Sequence, residues 1–246
     1  MIRNFWYSGF MLLKTCALGF IIVPQAAWVA ARAARLPEAS GERTGASGTG
    51  PALSVMTLGD SSAAGVGVEH QRDALGGRLA AELAKRFTVR WDIVAKSGGT
   101  VRSTTKILRS IPPRKIDFVL IALGVNDSKN GVSLRKWQTG YRKLLDEISD
   151  KFDAPQICAS GLPPVRHFPI LPRPLRTVLG DRAELFDVHL RQIVSTRANT
   201  HYIPIDFTLD TTKMARDGFH PGPEIYAQWA RLASDVFETS LGDQLP

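Results

Sequence analysis

Five short apolar runs, separated by stretches of helical periodicity, limit this 246-residue chain more than any other feature. They occupy residues 53–58, 89–95, 118–123, 156–160 and 201–205. Each is too short for a stable helix and rich in apolar or β-branched residues, as expected of a strand buried on both faces. Helical patterns fill the intervals. Asp73 is placed to cap a helix in which Leu75, Leu79, Leu83 and Phe87 recur every fourth residue. A second helix is predicted over 102–109, stopped by Pro112-Pro113. Residues 133–152 carry Leu134, Trp137, Tyr141, Leu144, Leu145 and Ile148 on one stripe, and further helices are predicted over 182–197 and 223–240. Parallel strands need crossover connections, so this alternation predicts an α/β fold with a five-stranded parallel sheet covered on both faces. Ligands of such sheets bind at the carboxyl ends of the strands.

The N-terminus follows a different rule. From Phe5 to Ala31 it is mostly apolar, interrupted by Lys14, Pro24 and Gln25, and the run after Lys14 is just long enough to cross a thin bilayer. Residues 1–36 are therefore expected to form an apolar anchor or signal-like helix. This places the protein at a membrane, on a side the sequence leaves open. The small-residue string Ala31-Arg32-Ala33 offers the alternative of cleavage and a secreted or periplasmic domain. Residues 37–51, rich in Gly, Ser, Thr and Glu without an apolar period, read as a flexible linker, and residues 52–246 as the folded domain.

The formal net charge of +8 is spread along the chain, since residues 1–50 hold five Lys/Arg against two Asp/Glu. No basic cluster interleaved with aromatics is present, so no nucleic-acid partner is expected. The two cysteines, Cys16 and Cys158, form neither a disulfide framework nor a zinc-ligand spacing, and Cys158 reads as a small buried apolar residue.

Three of the predicted strands run into loops with chemistry-bearing residues. The first leads to Gly59-Asp60-Ser61-Ser62, the second to Ser97-Gly98-Gly99-Thr100, and the third to Gly124-Val125-Asn126-Asp127. Near the C-terminus stands Asp217-Gly218-Phe219-His220-Pro221. A serine hydroxyl needs a base to take its proton, and an imidazole base works best when a carboxylate orients it. Asp217 and His220 are three residues apart, so one turn of backbone brings both to one side; Ser61 has to arrive by folding. The oxyanion of an acyl-transfer intermediate also needs donors. Ser61 N–H, a backbone N–H at Gly98 or the adjacent Gly99, and the Asn126 amide are candidates. Asp60 and Asp127 read as loop supports that accept backbone hydrogen bonds. The proline-rich segment 162–176 is open to two readings, a wall of the substrate pocket or a stiffened connection packed on the core. His70, His167, His189 and His201 have no partner pattern and read as surface or structural residues.

In this order the four blocks resemble the SGNH subgroup of the GDSL hydrolases, over roughly residues 53–240. The resemblance implies a flavodoxin-like three-layer α/β/α sandwich and a two-step acyl transfer. Ser61 would be the nucleophile, His220 the base and Asp217 its orienter, with Ser61, Gly98 and Asn126 forming the oxyanion hole. It favours Gly98 over Gly99 and implies no metal or organic cofactor. The partner implied is a small-molecule ester or an acyl-lipid such as a lysophospholipid. The same residues would serve a glycan O-deacetylase, and the same fold a non-catalytic binding module.

Overall fold

A computed structural model of the chain describes residues 19–206 and 210–241, and in it strands and helices alternate as the apolar pattern requires. The strands are β1 (Thr44–Ser47), β2 (Ala52–Gly59), β3 (Thr88–Ala95), β4 (Phe118–Ala122), β5 (Gln156–Ser160) and β6 (Thr200–Ile203). The helices are α1 (Gly19–Arg32), α2 (Leu75–Leu83), α3 (Val101–Ser110), α4 (Val125–Lys129), α5 (Leu134–Lys151), α6 (Leu175–Val194) and α7 (Pro223–Ser240). Strand order is β1-β3-β2-β4-β5-β6, with β2 to β6 parallel and β1 antiparallel to β3. Chain order reverses at β2, which lies between β3 and β4. The crevice beyond its carboxyl end is where a sheet of this kind binds ligands.

Neighbouring residues of a strand point to opposite faces, and the core divides accordingly. Met56, Leu58, Val119 and Ile121 pack with Trp137, Tyr141, Leu144, Phe186 and Leu190 of α5 and α6. Val55, Phe118 and Leu120 pack on the other face with Leu75 and Leu79 of α2 and with Tyr226, Trp229 and Phe237 of α7. Phe118 and Phe237 stack at 4.5 Å. Each such side chain contributes about 1.5–3 kcal/mol relative to exposure, so the apolar runs hold both helical layers against the sheet. Cys158 is fully buried here, and burial pushes its thiol pKa up.

Several expectations need correction. The sheet is mixed and six-stranded because part of the expected linker 37–51 is β1, whose pairing runs from Thr44↔Asp92 to Ser47↔Val89. The segment has no apolar period because its anchors are backbone groups and one salt bridge. Ile93 N–H donates to Arg43 O at 2.7 Å, and the Arg43 guanidinium reaches both Ala95 O (2.7 Å) and Glu38 (2.5 Å). Asp73 does not cap α2. Ala74 holds that position, and Asp73 ends a 3₁₀ turn and pairs with Arg78 at 2.5 Å. Helix α6 begins at Leu175 rather than near 182, directly after Pro174, because proline is compatible with a first helical turn.

At the N-terminus, residues 1–18 lie outside the described residues, and with them about half of the expected apolar run. The part described, α1, is 14 residues long. Among the described residues no helix is long and apolar enough to cross a membrane. α1 rests on the domain through the half-buried Ile22, Gln25 and Val29. The Gln25 amide clamps the end of the proline-rich segment, donating to Arg173 O at 2.6 Å and accepting from Leu175 N–H at 3.0 Å.

Candidate active site

Strand β2 delivers Ser61 two residues past its last residue, in a turn that closes on itself. Asp60 N–H donates to Ala122 O of β4 at 3.2 Å, Ala64 N–H to Asp60 O at 2.9 Å and Val66 N–H to Ser61 O at 2.9 Å. The Asp60 carboxylate, 5% exposed, accepts from Ser62 N–H at 3.0 Å and from the Asn126 amide at 3.1 Å. Burial raises its pKa to about 6, against the Ser62 N–H and the charges of His220 and Lys129, which lower it. Asp60 is thus the loop support anticipated. So is Asp127, which accepts from Val101 N–H at the start of α3 at 3.0 Å and is likewise raised by burial to about 6.

The second half of the site is a tight loop ahead of α7. Ala215 N–H donates to His220 O at 2.9 Å and Gly222 N–H to Lys213 O at 3.1 Å. Inside this loop Asp217 Oδ1 accepts from Phe219 and His220 N–H, both at 3.0 Å, and Asp217 Oδ2 lies 2.5 Å from His220 Nδ1. Burial opposes ionisation of Asp217, but the His220 ring and the two N–H groups outweigh it and hold its pKa below the ordinary value. His220 Nε2 lies 3.0 Å from Ser61 Oγ.

Two contacts join these halves across 159 residues of sequence. Tyr226 of α7, fully buried, donates to Val66 O in the Ser61 loop at 2.6 Å. Gly67, at φ +110°, lets the same loop press on the His220 loop so closely that a Cβ there would stand 2.2 Å from Pro221 O. The chain thereby fixes the Ser61 to His220 spacing with one buried tyrosine hydroxyl and one close backbone contact.

The oxyanion candidates are placed unequally. Gly98 and Gly99 occupy the turn after β3. Gly99 N–H is committed to Lys96 O at 2.9 Å, whereas Gly98, exposed at φ +75°, has no hydrogen bond on its N–H and no atom within 4 Å of a built Cβ. Asn126 is 4% exposed and sits at the site, but its amide nitrogen already donates to Gly99 O at 2.9 Å and to Asp60 at 3.1 Å. Both of its hydrogens are therefore engaged.

Behind Ser61 opens a cavity of about 50 Å³ lined mainly by apolar side chains, among them Leu123, Phe168, Ile205, Met214, Ile225 and Trp229. The proline-rich segment satisfies both readings offered for it. Pro163 and Phe168 face the cavity, while Leu162, Val165, Phe168, Leu171 and Leu175 are buried against the core. Its first turn is tied down by Asp187, which accepts from Leu162 N–H at 2.8 Å and from the Tyr202 hydroxyl at 2.8 Å. Sequence reasoning missed Asp187, Tyr226 and Phe219. Only Phe219 left a signal, its place beside His220. The other histidines lie outside the site. His70 contacts Ser40 Oγ at 2.9 Å, His201 contacts Gln156 at 2.8 Å, and His189 lies between Gln138 and Gln192. Among the described residues no group of His, Cys, Asp or Glu is placed to hold a metal ion.

A model of the GDSL-like lipase/acylhydrolase family matches residues 57–228, which contain all four blocks. The chain belongs to this family. GDSL-like members are ester hydrolases, and that chemistry agrees with the serine, histidine and carboxylate array just described. No curated protein matches the sequence. Solved structures share the fold at low identity. A carbohydrate esterase family 2 enzyme with a carbohydrate-binding domain from Corynascus thermopiles (Myceliophthora fergusii) has a TM-score of 0.64 at 16% identity, covering 80% of this chain and 68% of that one. A G-D-S-L lipolytic protein from Veillonella parvula gives 0.60 at 15%, covering 76% and 98%. The psychrotrophic esterase EstA from Pseudoalteromonas sp. gives 0.58 at 20%, covering 77% and 99%. The GDSL-like domain of this chain is accordingly an α/β carboxylic ester hydrolase domain.

Proposed function

We propose that this GDSL-like chain hydrolyses carboxylic esters through an acyl-enzyme on Ser61. The observation that carries the reading is the His220 ring, 3.0 Å from Ser61 Oγ on one side and 2.5 Å from Asp217 on the other. With Nδ1–H donated to Asp217, Nε2 is left to accept the Ser61 proton as Oγ attacks the ester carbonyl. The C=O electron pair moves onto oxygen, and the Ser61 and Gly98 N–H groups are the free donors for that oxyanion. Asn126 joins them by releasing Asp60. Collapse of the intermediate breaks the ester C–O bond, and the imidazolium returns its proton to the leaving alcohol. Water, deprotonated by His220, then frees the acid by the same steps in reverse.

The acyl group is assigned to the apolar cavity. A cavity of about 50 Å³, several times the space one water needs, suits a short acyl group such as acetyl or propionyl. Together with the carbohydrate esterases among the similar folds, it favours esters of small acyl groups, including O-acetylated glycans. A second reading, an acyl-lipid, is favoured by the outer face of α1. Phe20, Ile21, Val23 and Trp28 are 93%, 50%, 68% and 46% exposed, Arg32 stacks on Trp28 at 5.0 Å, and no acidic residue occurs before Glu38. Such a helix suits the interfacial plane of an anionic bilayer, so the localisation proposed is at a membrane surface. An ester panel varied in acyl length and alcohol, run on the wild type and on Ser61→Ala, tests both. Turnover surviving in Ser61→Ala would overturn the mechanism, and the acyl-length optimum chooses between the substrates.

A further inference from the structure

Lys129 ends α4, the short helix that carries Asn126. Its ammonium lies 5.4 Å from the centroid of the Phe219 ring. Phe219 itself lines the cavity, packs edge-on against Phe168 at 5.1 Å and lies 5.2 Å from the His220 ring. The segment bearing Lys129 is held from the side. Arg182 donates to Ser128 O at 2.7 Å and to Val132 O at 2.9 Å, pinning the backbone just before and after it. Lys129 has no ion-pair partner among the described residues, in contrast to Arg43, Arg109, Arg166 and Lys213, each paired with a carboxylate. Lys129 is exposed as a residue; partial desolvation of its ammonium lowers the pKa, while the negative charge of Asp60 beside Ser61 works in the opposite direction. An accessible cation without an ion pair can receive an anion.

The acyl group enters the apolar cavity, so the alcohol of the ester is the part that reaches the rim. We infer that Lys129 determines specificity for esters whose alcohol carries an anionic oxygen group, a phosphate or a carboxylate, within a few bonds of the scissile oxygen. The cation lies over a ring adjacent to the base. An anion there would be oriented by Lys129 while the alcohol's carbon frame packs on Phe219. This inference rests on the assignment of ester hydrolysis to Ser61, and adds to it the charge of the preferred leaving group.

Two matched substrate pairs test the inference. 1-Acetylglycerol 3-phosphate against 1-acetylglycerol forms the phosphate arm, and 4-acetoxybenzoate against 4-acetoxybenzamide the carboxylate arm. The quantity read is the ratio of kcat/KM, anionic over neutral, at low and at moderate salt. In at least one arm the wild type should give a ratio above unity that falls with salt, and the arm with the larger ratio identifies the anion. Lys129→Gln should lower that ratio about tenfold, chiefly through KM, and Lys129→Glu further, while Lys129→Arg restores most of it. Circular dichroism melting of each variant separates these effects from loss of fold. A ratio unchanged in Lys129→Gln and Lys129→Glu, with folded protein and turnover that requires Ser61, overturns the role of Lys129 alone. Turnover independent of Ser61 overturns the hydrolase assignment beneath it.

Discussion

The two ends of the described chain are held to the sheet in opposite ways. The His220 loop is locked by the hydrogen bonds within and around it, by Tyr226 to Val66 O and by the contact of Gly67 with Pro221 O. Helix α1 rests on three half-buried residues and one side-chain amide, and turns most of its apolar surface outward. A catalytic base must keep its distance from the nucleophile to a few tenths of an ångström, whereas an element that exchanges one surface for another gains from a weak seat.

The largest expected effect lies in the locked region. Ser61→Ala and His220→Ala should each lower kcat/KM by about 10³-fold or more while the melting temperature stays near that of the wild type. Steady-state kinetics on a soluble acetyl ester measures this, and a small loss in either variant would remove the basis for calling this end catalytic. Gly67→Ala should act through distance. A methyl placed 2.2 Å from Pro221 O, on backbone at φ +110°, must push the two loops apart. The cost is about 2 kcal/mol or more of stability. A kcat that falls with KM little changed would sharpen the claim that backbone contact sets the Ser61 to His220 spacing.

Two carboxylates of the same end respond to pH with opposite sign. Asp60, raised to about 6 from an ordinary 3.8, favours the folded state when protonated, so its contribution is full at low pH and is lost as pH rises through about 6. Asp217 is lowered, so its contribution is present at neutral pH and is lost as pH falls through its folded value. Denaturant titrations between pH 4 and 7 should show Asp60→Asn losing less stability with rising pH than the wild type, by at most about 1.4 kcal/mol per pH unit. Identical slopes would show that Asp60 is not the buried acid described.

The smallest effect belongs to the loosely seated helix. Gln25→Ala should cost about 1 kcal/mol or less, visible as a small fall in melting temperature. Replacing Phe20 and Trp28 together by Ser should weaken sedimentation with anionic vesicles several-fold. Equal vesicle binding by this variant and the wild type would remove α1 from the membrane proposal and leave its apolar face to another partner.

Much of the fold is legible in the sequence. The alternation of Val55 with Met56 and of Val119 with Leu120 sorts onto the two faces, and all five predicted strands lie within a few residues of their observed bounds. Local periodicity is enough for this, because a strand or helix in a two-layered core is selected by its own burial pattern. β1 was illegible for the converse reason, being held by backbone bonds and by Arg43, with no apolar face to announce it.

The sequence by itself determined five of the six strands, the four blocks at or near their ends, and the residue types on which the proposed chemistry of Ser61, Asp217 and His220 rests. Each of these is a matter of residue type and local spacing. Only the tertiary structure decided that Ser61 and His220 meet across 159 residues, that Asn126 is already engaged by Asp60, that Gly98 rather than Gly99 has the free N–H, and that Lys129 stands over Phe219. These relations join elements far apart in the chain, and no local pattern encodes them because their energy comes from packing whole layers together.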